Sequence, residues 1–170
     1  VAFYRISLAV LAVLMVRSAG ALDNPAELGN WFNDPFFQVR SAIADCPIPI
    51  GPLTTREQAR QQEHYRAERG TSCYLSGECK KPNAYFYDAE IGSRVRQIFA
   101  DQPHLLEHSA VWVTVSRRFV YVEGCSAENA DLATLDEAIR SVPDVQTVLL
   151  NIAKDAKGHL PYQALKPNRP

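Results

Sequence analysis

Cysteine and histidine are the residues best equipped for chemistry in this chain, and their spacing limits what that chemistry can be. Cys46, Cys73, Cys79 and Cys125 are the cysteines. They could bind zinc as thiolates, supply a nucleophile, or pair as disulfides. Structural zinc sites draw thiolates from pairs about two to four residues apart, and no such pair occurs here. The histidines, His64, His104, His108 and His159, lie far apart with no serine or cysteine motif beside them. His104 and His108 would share a face on a helix and could then chelate a metal, but Pro103 and a strand expected after Ser109 make their segment a loop. There is no glycine-rich phosphate loop and no Gly-x-Ser-x-Gly elbow. Carboxylates are scattered along polar faces. The expectation is a non-catalytic protein without a metal or cofactor.

Composition narrows the class further. The chain has 170 residues, 46% of them apolar, with 18 basic residues against 19 acidic. That is enough apolar content for one packed core. A net charge of −1 supplies no field for nucleic acid. Residues 1–21 read as a secretory signal. Arg5 provides the charge, Ile6 to Val16 the apolar run, and Ala19 and Ala21 the small-x-small cleavage pattern. Eleven residues of helix rise about 16 Å, roughly half of a ~30 Å hydrocarbon core, so the run is a poor permanent anchor. Export to an oxidising compartment makes disulfides the leading reading of the cysteines. Of the three possible pairings, Cys73–Cys79 with Cys46–Cys125 is preferred. The turn at Gly77 can bring the first pair together, and the second would staple the N-terminal region onto the C-terminal half.

The elements that must hold these residues follow from periodicity. Asp34-Pro35 reads as a helix start, with Phe36, Val39 and Ile43 on one stripe. Trp31 and Phe32 would pack beneath it. Three prolines force Cys46 to Pro52 into an extended path. Thr54 to Arg69 reads as a polar helix with a Thr54/Glu57 capping box, ended by Gly70. Asp88 reads as the cap of a helix that buries Ile91, Val95, Ile98 and Phe99 and stops at Pro103. Ala110 to Val115 and Phe119 to Glu123 alternate as two strands of a hairpin, turning at Ser116-Arg117-Arg118 and ended by Gly124. Ser126, with Glu128 in the first turn, would cap a second helix carrying Leu132, Leu135, Ile139 and Val142. Val145 to Ile152 reads as the third strand, and residues 154–170 as a loose tail.

This order, helix, hairpin, helix, strand, carries a resemblance. Asp88 to Asn151 resembles a BON domain, a module of bacterial envelope proteins. The acid-capped start is Asp88-Ala89-Glu90-Ile91. The family's Val-x-Leu-x-Gly is matched by Val120-Tyr121-Val122-Glu123-Gly124, and its Val-x-Gly-Val by Val142-Pro143-Asp144-Val145. The family's Asp-Gly or Asn-Gly turn is replaced here by Arg117-Arg118. Asp144 replaces the second motif's glycine, and tolerates the left-handed region better than most residues. Gly124 would be a hinge between strand and helix, where the backbone turns without a Cβ.

The resemblance implies an α+β fold: a small three-stranded mixed sheet with two helices on one face. A helical, disulfide-linked extension would precede it. The expected layout is signal 1–21, cysteine-bearing extension 22–86, BON-like domain 87–153 and tail 154–170. The resemblance also implies a non-catalytic periplasmic protein, peripheral to the outer membrane or free, that binds phospholipid and supports the envelope. Arg117 and Arg118, displayed at the hairpin tip, would meet anionic headgroups, with Trp112 and Tyr121 flanking them on the uncovered sheet face. The alternative is an adaptor that docks an envelope protein partner through that face or a strand edge.

Overall fold

Val111, Val113 and Val115 alternate along one stretch of chain and Val120 and Val122 along the next, and all five are fully buried. The fold is organised around them. In the computed structural model, which describes residues 27–126 and 130–165, they lie on β4 (Ser109–Ser116) and β5 (Phe119–Ser126). Helix α3 (Asp88–Asp101) brings Ile91, Val95 and Phe99 against the same face, and α4 (Leu132–Arg140) brings Leu135 and Ile139. Fully burying a side chain of this size contributes about 1.5–3 kcal/mol. Strand β6 (Thr147–Ala153) closes the layer by pairing parallel to β5, after the crossover through α4. The fold class is α+β. The export signal expected at residues 1–21, and Glu128, lie outside the described residues.

The sheet has four strands, not three. Residues Phe36–Ser41, expected to be helical, form β2 and pair antiparallel with β4, giving the order β2-β4-β5-β6. Phe36, Val39 and Ile43 fit a helical stripe, but the segment also alternates. Phe37 and Val39 join the core under α3, and Phe36 faces the other side. An open edge on β4 decides between the two patterns, because pairing satisfies backbone groups that a short helix would leave partly open. A bulge between Gln38 and Arg40 ends the regular register. It leaves Arg40 to cap the C-terminus of α3. Its Nη2 donates to the carbonyls of Phe99, Gln102 and Pro103 at 3.1, 2.8 and 3.2 Å, and its Nε to that of Leu105 at 2.9 Å.

The extension therefore belongs to the same body as the C-terminal half. A two-residue ladder joins β1 (Leu28–Gly29) to β3 (Thr54–Thr55). Helix α1 (Arg56–Glu68) starts one residue later than expected. Thr55 is its N-cap, and the capping box is Thr55 with Gln58 rather than Thr54 with Glu57. Thr54 is occupied in the β1–β3 pair. Gly70, in the left-handed region, separates α1 from the short helix α2 (Thr71–Leu75). The tail is not loose up to Leu165. The amide of Ile50 bonds the carbonyl of Gln163, and that of Leu165 bonds Ile48. Tyr162 is buried and donates its hydroxyl to the Pro47 carbonyl at 2.8 Å.

Cys46 is bonded to Cys125, and Cys73 to Cys79. The first bridge lies in a second apolar cluster with Ala110, Trp112 and Ala153, on the sheet face opposite α3 and α4. Gly124 is not a hinge, because β5 runs through it to Ser126. A Cβ there would lie 2.0 Å from the Ala110 carbonyl oxygen, at φ +151°. Glycine is required by the closeness of the neighbouring strand. Ser126 ends β5 instead of capping a helix, and Asp131 caps α4 by accepting from the Thr134 amide.

Candidate functional site

Arg117 and Arg118 form the two-residue turn between β4 and β5, and both have positive φ, 51° and 68°. Two-residue hairpins favour this conformation because it matches strand twist, but it disfavours side chains with a Cβ. Asp88 compensates. It does not cap its own helix; Tyr87 stands in the cap position, with no side-chain bond. Its carboxylate instead accepts the amides of Arg117 and Arg118, each at 2.7 Å. Asp88 is 2% exposed. Burial pushes its carboxyl up to about 6, against the two turn amides, which pull it down. The neighbouring Asp34 charge adds to the rise and Arg66 opposes it. The turn is thus pinned to the N-terminus of α3 and half-buried, not displayed at a free tip as expected.

The two arginines then part. Arg118 turns to the α4–β6 corner. Its Nε donates to the Asp144 carbonyl at 2.7 Å, its Nη1 reaches Cys79 Sγ at 3.7 Å, and its guanidinium lies over the Tyr87 ring. Arg117 turns to the opposite sheet face. Its Nη1 and Nη2 donate to the hydroxyls of Tyr65 and Tyr121, both at 3.4 Å, and it forms no ion pair among the described residues. These hydroxyls hold its pKa above the ordinary arginine value, so it stays cationic. Trp112 lies on that same face but is 9% exposed, packed in the cluster around Cys46–Cys125. Of the expected contacts, Arg117 and Tyr121 come together; Trp112 and Arg118 do not join them.

What surrounds Arg117 is a groove of about 460 Å³ between the sheet and α1. Its floor is Thr114, Ser116, Tyr121 and Glu123, and Gln62, Tyr65 and Arg66 of α1 face them. Phe32, Ile50 and Pro52 supply an apolar wall. Arg66 is not available to a ligand as a free charge. It pairs with both oxygens of Asp34 and is stacked between the rings of Phe32 and Tyr85, at 3.9 and 3.6 Å from their centroids. Burial raises the Tyr85 phenol, with Arg66 opposing, so it remains a hydroxyl donor. Burial also raises the Glu123 carboxyl, against a weak bond from Asn151. Thr114 Oγ1, on the floor, is buried without a hydrogen-bond partner. Arg117 is a guanidinium bonded to two hydroxyls and to no carboxylate among the described residues, in a groove that also holds Glu123 on its floor and an apolar wall. It can hold an anionic group by charge-assisted hydrogen bonds.

Sequence reasoning missed Tyr65, Tyr85, Thr114, Glu123 and the Asp34–Arg66 pair. Tyr65 lies 52 residues from Arg117, and no local pattern announces such a contact. His104 and His108 both flank Glu107, at 2.9 and 3.1 Å, in an exposed turn rather than a helix. Among the described residues no cluster of three or more potential ligands could hold a metal ion, and no helix is long and apolar enough to cross a membrane. No family model, curated protein or solved structure matches this chain.

Proposed function

We propose that this chain is a non-catalytic binding protein of the bacterial cell envelope. On this reading it is BON-like over Asp88 to Asn151 and takes the anionic headgroup of a phospholipid at Arg117. The observation that carries the reading is the state of Arg117: a half-buried cation in a groove, touched by the hydroxyls of Tyr65 and Tyr121 and by no carboxylate among the described residues. A phosphate diester offers the acceptors that such a guanidinium lacks. Phe32, Ile50 and Pro52 line the same groove and offer apolar contact to the first carbons beyond a headgroup. The helix–hairpin–helix–strand order supports the BON-like assignment. The two disulfides agree with export, which the residue 1–21 signal pattern suggests. The test is co-sedimentation of the oxidised protein with anionic and neutral vesicles, at low and high salt. Selective, salt-sensitive binding to anionic vesicles, lost in Arg117→Glu and kept in Arg118→Gln, is the expected result. Equal binding by wild type and Arg117→Glu would overturn it.

The second reading is a protein-docking adaptor. Tyr74 and Leu75, 44% and 78% exposed beside the Cys73–Cys79 bridge, favour it. It predicts a partner that stays bound at high salt and no preference for anionic vesicles.

A further inference from the structure

The two disulfides occupy opposite environments. Cys46 and Cys125 are 5% and 1% exposed, inside an apolar cluster. Cys73, on α2, and Cys79, in the turn that follows it, are half-buried in an exposed stretch of chain. Their bridge spans six residues, against 79 for the other. The loop is also held by hydrogen bonds that do not need the bridge. The amides of Glu78 and Cys79 both donate to the Cys73 carbonyl at 3.0 Å, and that of Gly77 to Tyr74. The Ser76 hydroxyl donates to the Cys73 carbonyl as well. A loop tied this way keeps its two sulfurs close after the bond is broken.

The charge beside the sulfurs is uneven. The Arg118 guanidinium lies 3.7 Å from Cys79 Sγ and forms no ion pair among the described residues. It is fixed in that position by its bond to the Asp144 carbonyl and by the Tyr87 ring. Lys80 and Lys81 follow Cys79 directly, opposed by Glu78. An adjacent cation stabilises a thiolate and makes that sulfur the better leaving group.

We propose that Cys73–Cys79 is a thiol-exchange site, with Cys73 the sulfur attacked and Cys79 the sulfur released. The thiolate of an external dithiol, its proton lost to solvent, forms a bond to Cys73 Sγ as the Cys73–Cys79 bond breaks. The electron pair of that bond passes to Cys79 Sγ, where Arg118 holds it. The second thiol of the donor then attacks the donor's own sulfur in the mixed disulfide and releases Cys73. The protein gains two electrons and the dithiol becomes a disulfide, so the balance is complete. Arg118 acts here as a positioning and charge-stabilising residue. The site is independent of the Arg117 groove.

The test uses the full chain. The oxidised protein is held at graded dithiothreitol concentrations, free thiols are trapped by alkylation, and each cysteine is read by mass spectrometry. Cys73 and Cys79 should be labelled at a concentration at least ~10-fold below that which opens Cys46–Cys125. In Cys73→Ser, the alkylation rate of Cys79 should titrate about one pH unit or more below the ordinary thiol value of ~8.5. Arg118→Gln in that background should return it. Opening of both bridges at the same concentration would overturn the proposal. So would a Cys79 that titrates at or above ~8.5 with Arg118 intact, a result that needs no Arg118 variant to fold.

Discussion

Replacing Asp88 with asparagine separates two opposing effects at the hairpin turn. The carboxylate accepts two amides at 2.7 Å, and each such charge-assisted bond is worth about 1.5–3 kcal/mol. The same carboxylate is 2% exposed, and its loss of hydration works against folding. The balance is expressed in a pKa raised from 3.8 to about 6. Desolvation therefore outweighs the bonds as far as ionisation is concerned. Between those two values the folded chain binds more protons at this site than the unfolded chain does. Its contribution to stability is greatest below about pH 4 and falls as pH rises through about 6. A shift of about two units at roughly 1.4 kcal/mol each amounts to ~3 kcal/mol. Asparagine is neutral throughout and keeps only one oxygen acceptor, leaving one turn amide facing its NH2 group. Urea unfolding of wild type and Asp88→Asn at pH 4.5, 5.5, 6.5 and 7.5 gives the difference between them, in which the other titrating groups largely cancel. The wild-type advantage should shrink by about 2 kcal/mol from the lowest to the highest of those values, because pH 4.5 already lies above the unfolded value of 3.8. A difference independent of pH would refute the reasoning. An advantage that grows with pH would mean that the two amides dominate and that the folded carboxyl titrates below 3.8.

The packing fixes the expected outcome for five further variants. Removing the Cys46–Cys125 bridge as a Cys→Ala pair frees a 79-residue separation in the unfolded chain. It should cost about 4.5 kcal/mol by loop entropy, read as a lower urea midpoint; loss of the Cys73–Cys79 clasp should cost about 2 kcal/mol. Gly124→Ala places a Cβ 2.0 Å from a backbone oxygen and should abolish soluble expression or lower stability by more than about 3 kcal/mol. Gly77→Ala, with nothing within 4 Å but φ +81°, should cost only about 1–2 kcal/mol. Arg40→Met removes the cation that collects four carbonyls in the last turn of α3 and just beyond it and should cost about 2 kcal/mol, seen as a lower thermal midpoint.

The legible parts of the fold are those whose partners lie close in sequence or whose periodicity admits one reading. The valines of β4 and β5 alternate over full strands. Ile91, Val95 and Phe99 repeat at helical spacing. Both patterns survive into the structure with small shifts at their ends. The segment from Phe36 to Ser41 is different, because six residues can satisfy either period. The deciding partner, β4, begins at Ser109. Asp88 reads as a helix cap because acids commonly stand there. The turn 29 residues ahead claims the side chain instead. The prolines of the tail suggest a loose segment, yet Tyr162 and Gln163 find Pro47 and Ile50 across the fold.

The candidate site was legible only at Arg117 and Tyr121, which stand four residues apart across the turn. Both were placed by the hairpin pattern. The side chains that make a groove around them come from the extension, where α1 is polar almost all round and buries only Ala59. Such a helix carries no apolar stripe to say which face it turns inward. Trp112 was expected to be open because two helices cover only one face of a sheet. The Cys46 segment and Leu160 cover the other.

The central claim is that an anionic headgroup sits at Arg117. The most direct measurement is an NMR titration of the oxidised, isotope-labelled protein with a short-chain phosphatidylglycerol below its micelle concentration, with the matched phosphatidylcholine as control. The expected result is saturable shifts of the Arg117 guanidinium signal and of the Tyr65, Thr114 and Tyr121 resonances with the anionic lipid, absent in Arg117→Glu. Shifts confined to the Tyr74-Leu75 loop, or none at saturating lipid, would contradict the account.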